Sequence, residues 1–153
     1  MRSEDARLAN QSWEALFQAQ VALARRFTAD DIWGELSVTE YDVLYTLSKA
    51  GHGLRMADIN RRLLLTQTGV SRLIARLEDR GLLERLPNPE DRRAARIVLT
   101  PQGAEAQKTV GRRHARSVAD AMTGALNRAQ LEQLRDLCRQ IATMIEPDAP
   151  ENT

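Results

Sequence analysis

Between Arg55 and Arg96 the chain carries ten arginines, six acidic residues and no lysine, a local net charge of +4 in a protein whose whole charge is +1. Arginine presents a planar fork of donors that matches phosphate oxygens and the edge of guanine. The chemistry in view is therefore recognition of a polyanion. Two groups of residues carry it. In "TQTGVSRLIAR", the hydrogen-bonding residues Thr66, Gln67, Thr68, Ser71, Arg72 and Arg76 fall on the side of a helix opposite Val70, Leu73, Ile74 and Leu77. In "PNPEDRRA", the residues Asp91, Arg92 and Arg93 stand at a tip between two short apolar runs. A surface turn needs polarity, but it does not need adjacent arginines held out on a ribbon. Such a tip is thin enough for a minor groove ~6 Å wide, where an arginine meets enhanced negative potential. The bland alternative is a solvated hairpin end whose charges pair with one another.

Other reactive residue types do not assemble into a site. His52 and His114 are scattered, and no Cys/His spacing resembles a zinc cage. No nucleophile motif or glycine-rich phosphate loop is present, and Asp30-Asp31 reads as a helix end. The expectation is a protein that is not an enzyme and needs no metal or cofactor. Cys138, the single cysteine, excludes an internal disulfide framework and fits a reducing cytoplasm. It occupies an apolar seam position, where a small side chain suits packing. Arg135 and Arg139 lie near it in sequence and keep open an oxidant-sensing thiol. No apolar run approaches the ~20 residues of a membrane span, and "MRSEDARLANQSW" has no signal-peptide core. A cytoplasmic location away from membranes is expected. With 42% hydrophobic and 28% charged residues, the chain reads as globular and not disordered.

The elements that must position these groups follow from periodicity. The first 29 residues predict one helix, capped by Ser3, with Trp13, Leu16, Phe17, Gln20, Ala24 and Phe27 on one face. "DDIWGELS" interrupts it, and the capping box Ser37 to Glu40 opens a second helix with Tyr41, Leu44, Tyr45 and Leu47 inward. Gly51 and Gly53 end that helix. Leu54 to Met56 reads as a very short strand, and Ala57 to Leu64 as a short helix with Ile59 and Leu63 inward. Thr66 caps the polar-faced helix and Gly81 closes it. "LLERL" and "ARIVLT" are strands around the charged tip. Thr100-Pro101 starts a helix running to about Leu126, and Asn127 with Gln130 starts the last. Its apolar positions Leu131, Leu134, Cys138, Ile141 and Ile145 follow a coiled-coil seam that needs a partner surface. Short helix, turn and polar-faced helix make a helix-turn-helix, and the hairpin makes it winged. The fold class expected is mainly α with a small β wing.

From about Leu36 to Gly103, "LSVTEYDVLYTL" and "LLLTQTGVSRLIARLEDRGLLERLPNPEDRRAARIVLTPQG" resemble the MarR family of multiple antibiotic resistance regulators. The combination of "SRLIARLEDRGLLER", "DRR" and "VLTPQG" is the specific part. The resemblance implies a sequence-specific DNA-binding transcriptional regulator, usually a repressor, acting as a homodimer on a palindromic double-stranded operator. It assigns 1–36 to an N-terminal dimerisation helix, 37–100 to the winged helix-turn-helix, and 101–146 to C-terminal dimerisation helices, leaving 147–153 as a disordered tail. Thr66, Gln67, Thr68, Ser71 and Arg72 match the groove-facing end of the recognition helix. Asp91 and Arg93 match the wing pair, the arginine entering the minor groove and the aspartate positioning it. Arg92 takes the variable place between them. The family often releases DNA on binding a small ligand between platform and winged helix. Trp13, Phe17, Tyr41, Tyr45 and His114 lie on the corresponding helices and would suit an aromatic or phenolic effector, although aromatics at helical spacing are ordinarily core. Two alternatives stand beside this reading: a winged-helix protein-interaction module without DNA, and an oxidant-sensing regulator using Cys138.

Overall fold

The computed structural model describes residues 3–63, 65–91 and 93–146. Arg92 and the 147–153 tail, both named above, lie outside the described residues. The order is α1 (Ser3–Ala29), α2 (Val38–Ser48), α3 (Met56–Arg62), α4 (Gln67–Asp79), β1 (Leu83–Pro87), β2 (Ala95–Leu99), α5 (Pro101–Ala125) and α6 (Arg128–Ile145). The described residues are mostly helical with one two-stranded antiparallel sheet, the winged helix-turn-helix architecture that the pattern predicts.

Local chemistry sets most boundaries. Ser37 and Glu40 form a reciprocal capping box on α2, and Asn127 and Gln130 do the same on α6. Thr66 and Thr100 each accept the backbone N–H three residues on, starting α4 and α5. Gly81, at φ +70°, ends α4: its N–H reaches Glu78 O at 2.8 Å and the Leu82 N–H reaches Leu77 O at 3.0 Å. That is a Schellman closure, which needs a left-handed residue at this position. Helix α1 already includes Ser3, the residue read as its cap.

The core sits under the winged helix. Helix α2 supplies Val43, Leu44 and Leu47, α3 supplies Ile59, and α4 supplies Val70, Leu73, Ile74 and Leu77. Leu82, Leu83 and Ile97 close it from the wing, and Val110 from α5. Trp33 and Leu36, from the segment read only as a break, are also buried, and Trp33 Nε1 donates to the Phe27 carbonyl at 2.8 Å. At the junction with α5, a Cβ on Gly103 would lie 1.9 Å from the Leu82 carbonyl oxygen. Only glycine lets α5 start against the wing's root.

Two expectations are corrected. The predicted strand at Leu54 is a single bridge to Ile97, because Met56 already begins α3. Tyr45 does not point inward. It is 44% exposed, since the core side of α2 is filled by Val43, Leu44 and Leu47. Cys138 is partly exposed, because within one chain α6 covers only part of its seam: Leu131 and Leu134 are half-buried while Ile141 and Ile145 are open. No residue of α1 or α6 is buried. Among the described residues, no helix is long and apolar enough to cross a membrane.

Candidate functional site

Helix α4 separates its two faces sharply. Val70, Leu73, Ile74 and Leu77 are buried, whereas Thr66, Gln67, Thr68, Ser71 and Arg72 are exposed at its N-terminal half. Gly69 N–H is held by Thr66 Oγ1 at 3.1 Å, which fixes the first turn while the neighbouring polar groups stay exposed. A buried apolar stripe behind an exposed polar face docks the helix on the core and leaves hydrogen-bonding side chains for an external surface.

The wing is equally defined. Its strands pair from Leu83 with Leu99 to Pro87 with Ala95. The tip is built by local hydrogen bonds: Asn88 N–H to Ala94 O at 3.3 Å, Ala94 N–H to Asp91 O at 3.1 Å, and Glu90 N–H to Asn88 Oδ1 at 3.2 Å. Asp91 Oδ1 accepts the backbone N–H of Arg93 at 3.0 Å. The aspartate thus shapes the turn that presents Arg93 and makes no ion pair with its guanidinium. Glu90 pairs with Arg55 at 3.8 Å, tying the tip to the start of α3.

The arginines sort by whether a carboxylate lies within reach. Arg61 pairs with Asp58, and Arg85 grips both oxygens of Glu78 at 2.8 and 2.9 Å. Arg76 and Arg80 both pair with Glu40, at 3.0 and 3.1 Å. Arg96 reaches the His52 carbonyl at 3.4 Å. Among the described residues, Arg72 and Arg93 have no such partner, and neither has Arg62 in the last turn of α3. Arg76 is therefore ion-paired within the chain although its side chain stays 60% exposed, whereas Arg72 one turn before it has no carboxylate partner among the described residues. Glu40 itself is 4% exposed. Burial raises its pKa, but the Ser37 backbone N–H and the two guanidiniums outweigh that and hold it below the usual glutamate value.

Against the opposite end of the core lies a cleft of about 610 Å³ between α2 and α5. Tyr41, Tyr45 and His114 line it, with Asp42, Lys108 and Arg112 bringing charge. His114 packs edge-on against Phe27 at 5.0 Å and Tyr41 at 5.5 Å, and lies 5.1 Å from Trp33. Burial lowers its pKa, opposed by Asp42 and Asp30. Its Nδ1 is buried with no hydrogen-bond partner among the described residues. Burial likewise raises Asp42, against the pull of His114, and raises Tyr41, against a hydrogen bond with Gln107. Gly111 makes room for the phenol: a Cβ there would fall 3.2 Å from Tyr41 Oη. Ser117 donates to Asp30, anchoring α5 to the end of α1. Trp13 and Phe17 are not brought to this cleft. They lie on exposed α1, 6.2 Å from each other, because only the end of α1 meets the core. Sequence reading missed Asp42, Gln107 and Gly111; the last two share a helical face with His114, at spacings of seven and three.

A family model described as MarR family matches residues 35–94. The multiple antibiotic resistance protein MarR of Salmonella typhimurium is 27% identical over 107 residues, covering 70% of this chain and 74% of that protein. Among solved structures, AbsC, a MarR family transcriptional regulator from Streptomyces coelicolor, superposes with a TM-score of 0.75 at 25% identity, over 91% of this chain and 95% of that one. The PcaV transcriptional regulator from Streptomyces coelicolor, solved with its natural ligand, gives a TM-score of 0.64 at 26% identity, over 90% of this chain and 93% of that one.

Proposed function

Because the chain belongs to the MarR family of winged-helix, DNA-binding transcriptional regulators, we propose that it acts as a homodimeric repressor on a palindromic operator and is released by a small aromatic or phenolic ligand. The observation that carries the DNA part is the exposed polar face at the start of α4 together with Arg72 and Arg93, which have no carboxylate partner among the described residues. Two winged helices related by a two-fold axis would place two α4 helices about one DNA turn apart, ~34–36 Å. Thr66, Gln67, Thr68, Ser71 and Arg72 would read the major groove. Arg93, on the turn that Asp91 shapes, would enter the minor groove, with Arg92 beside it. In this scheme residues 1–36 and 101–146 form the dimer platform around 37–100.

The dimer is supported by the apolar side chains that α1 and α6 leave open, among them Trp13, Phe17, Ile141 and Ile145. A soluble protein seldom exposes such a patch without a partner. The ligand part rests on the cleft, whose volume falls in the range of small-molecule sites. Its stacked Tyr41 and Tyr45, 6.0 Å apart, suit a planar ring. The neutral imidazole of His114 offers a hydrogen bond to a phenol, and Lys108 and Arg112 suit an anionic substituent.

The deciding experiment is binding to the DNA upstream of the protein's own gene at several salt concentrations. A specific site should outcompete bulk DNA, and the affinity should fall linearly in log salt. Binding that does not distinguish that fragment from random duplex, or no binding at all, would favour a protein-interaction module.

A further inference from the structure

Glu40 sits at the third position of α2, yet its carboxylate is spent mostly on another helix. Oε2 accepts the Ser37 backbone N–H at 2.8 Å, completing the capping box. The same carboxylate takes Arg76 Nε at 3.0 Å and Arg80 Nη1 at 3.1 Å, while Arg80 Nη2 reaches the Glu35 carbonyl at 3.1 Å. Arg76 and Arg80 are one turn apart, and Arg72 precedes them by one more turn on the same side of α4. The apolar stripe of α4 is non-directional and tolerates small rotations. Two ion pairs, one to each oxygen of a single buried carboxylate, do not: a slip of one residue turns the helix by 100° and carries both guanidiniums away.

Building on the assignment of α4 as the recognition helix, we propose that Glu40 is a positioning residue for DNA specificity. It indexes the rotation of α4, which aims Gln67, Ser71 and Arg72, and it withholds the charge of Arg76 and Arg80 from indiscriminate phosphate contact.

These two roles move specific and non-specific binding in opposite directions. Freed of the carboxylate, two cations next to the reading residues would find phosphates on any duplex, strengthening non-specific binding and steepening its salt dependence. The released helix would meanwhile lose register with the bases and weaken operator binding. Plain destabilisation lowers both affinities together. Glu40→Gln isolates the effect, since a glutamine oxygen still accepts the Ser37 N–H and keeps the capping box.

The test compares full-length wild type and E40Q on two duplexes: the one that wild type itself selects from a random-sequence pool, and a scrambled duplex of the same composition. In E40Q the ratio of the two affinities should fall by about tenfold or more, the equivalent of one misread base pair. Affinity for the scrambled duplex should rise, with a steeper salt slope. Adding Arg76→Gln should return scrambled binding towards wild type without restoring the ratio. An unchanged ratio in folded E40Q, or a parallel fall in both affinities, would overturn the proposal. Should E40Q fail to fold by circular dichroism, the Arg76→Gln/Arg80→Gln pair leaves α2 intact. It should lose the ratio with little loss of scrambled binding, and a parallel loss of both would mark these arginines as direct phosphate contacts instead. Failure of the wild type to select any duplex would bring down the DNA assignment itself, and Glu40's role with it.

Discussion

Replacing Ile141 and Ile145 together by alanine should separate the two subunits of the proposed dimer while leaving each chain folded. In the single chain these side chains are 55% and 76% exposed. Changing isoleucine to alanine removes three carbons, worth about 2.4 kcal/mol when a fully exposed side chain becomes fully covered. Scaled by exposure, the two substitutions forfeit about 3 kcal/mol per chain. A two-fold axis places each substitution at the interface twice, giving about 6 kcal/mol per dimer, or some four powers of ten in Kd. Coverage of half the open surface would leave about two powers of ten. Neither side chain is buried within its own chain, so the far-UV circular dichroism of a folded monomer should persist. Sedimentation equilibrium from nanomolar to tens of micromolar would show the shift. A wild type that stays monomeric at micromolar concentration, or a double-alanine variant that dimerises like wild type, would refute the reasoning. The α6 seam would then face something other than a second copy.

Arg72→Ala should cost operator binding about 1–3 kcal/mol and relax sequence preference, if it forks onto a guanine. Arg93→Ala should instead weaken binding and lower the salt slope by roughly one unit per subunit; filter binding across a salt series separates the two, and wild-type affinity in both would remove them from the interface. Glu40 has a lowered pKa in the folded chain, so its contribution is fully present above the ordinary glutamate value of about 4.3. That contribution is lost as pH falls through the folded value. Unfolding free energies of wild type and E40Q from urea titration should accordingly differ by about 1–3 kcal/mol at pH 7 and converge in acid, whereas a constant gap would mean that Glu40 acts by shape alone. Cys138→Ala should leave operator binding and its response to mild peroxide unchanged: Arg135 is held by Asp136 at 2.8 Å and not by the sulfur. Loss of binding in wild type alone after peroxide would promote the oxidant-sensing alternative.

The parts of the fold legible in the sequence are those set by contacts a few residues apart. The caps at Ser37, Thr66, Thr100 and Asn127 each need only a residue three positions on. The close of α4 at Gly81 needs only the preceding turn. The buried stripe of α4 follows from its 3.6-residue period. The winged helix was legible because these signals agree with one another. Tyr45 was misread because Tyr41, Leu44, Tyr45 and Leu47 give one wide apolar stripe, while the core accepts only one side of it. Val43, off that stripe, is fully buried. Sequence period alone cannot show that α2 is packed on more than one side.

The ten arginines pose a harder problem of the same kind. Along the chain Arg72 and Arg76 are equivalent: same helix, same face, one turn apart. What separates them is a carboxylate 36 positions before Arg76, which the turn of the chain through α3 brings beneath α4. Charge composition counts cations but does not say which are already neutralised, and an anion held at 3.0 Å in a buried site withdraws a guanidinium from external work far more than one across a wet surface. The effective binding charge of this segment is therefore smaller than ten arginines imply. Among the described residues it is left to the arginines that no carboxylate reaches: Arg62 in α3, Arg72 in α4, Arg93 at the wing's tip and Arg96, which meets only the His52 carbonyl. The same logic applies to Asp91, whose carboxylate goes to a backbone N–H and so fixes where Arg93 stands without reducing its charge.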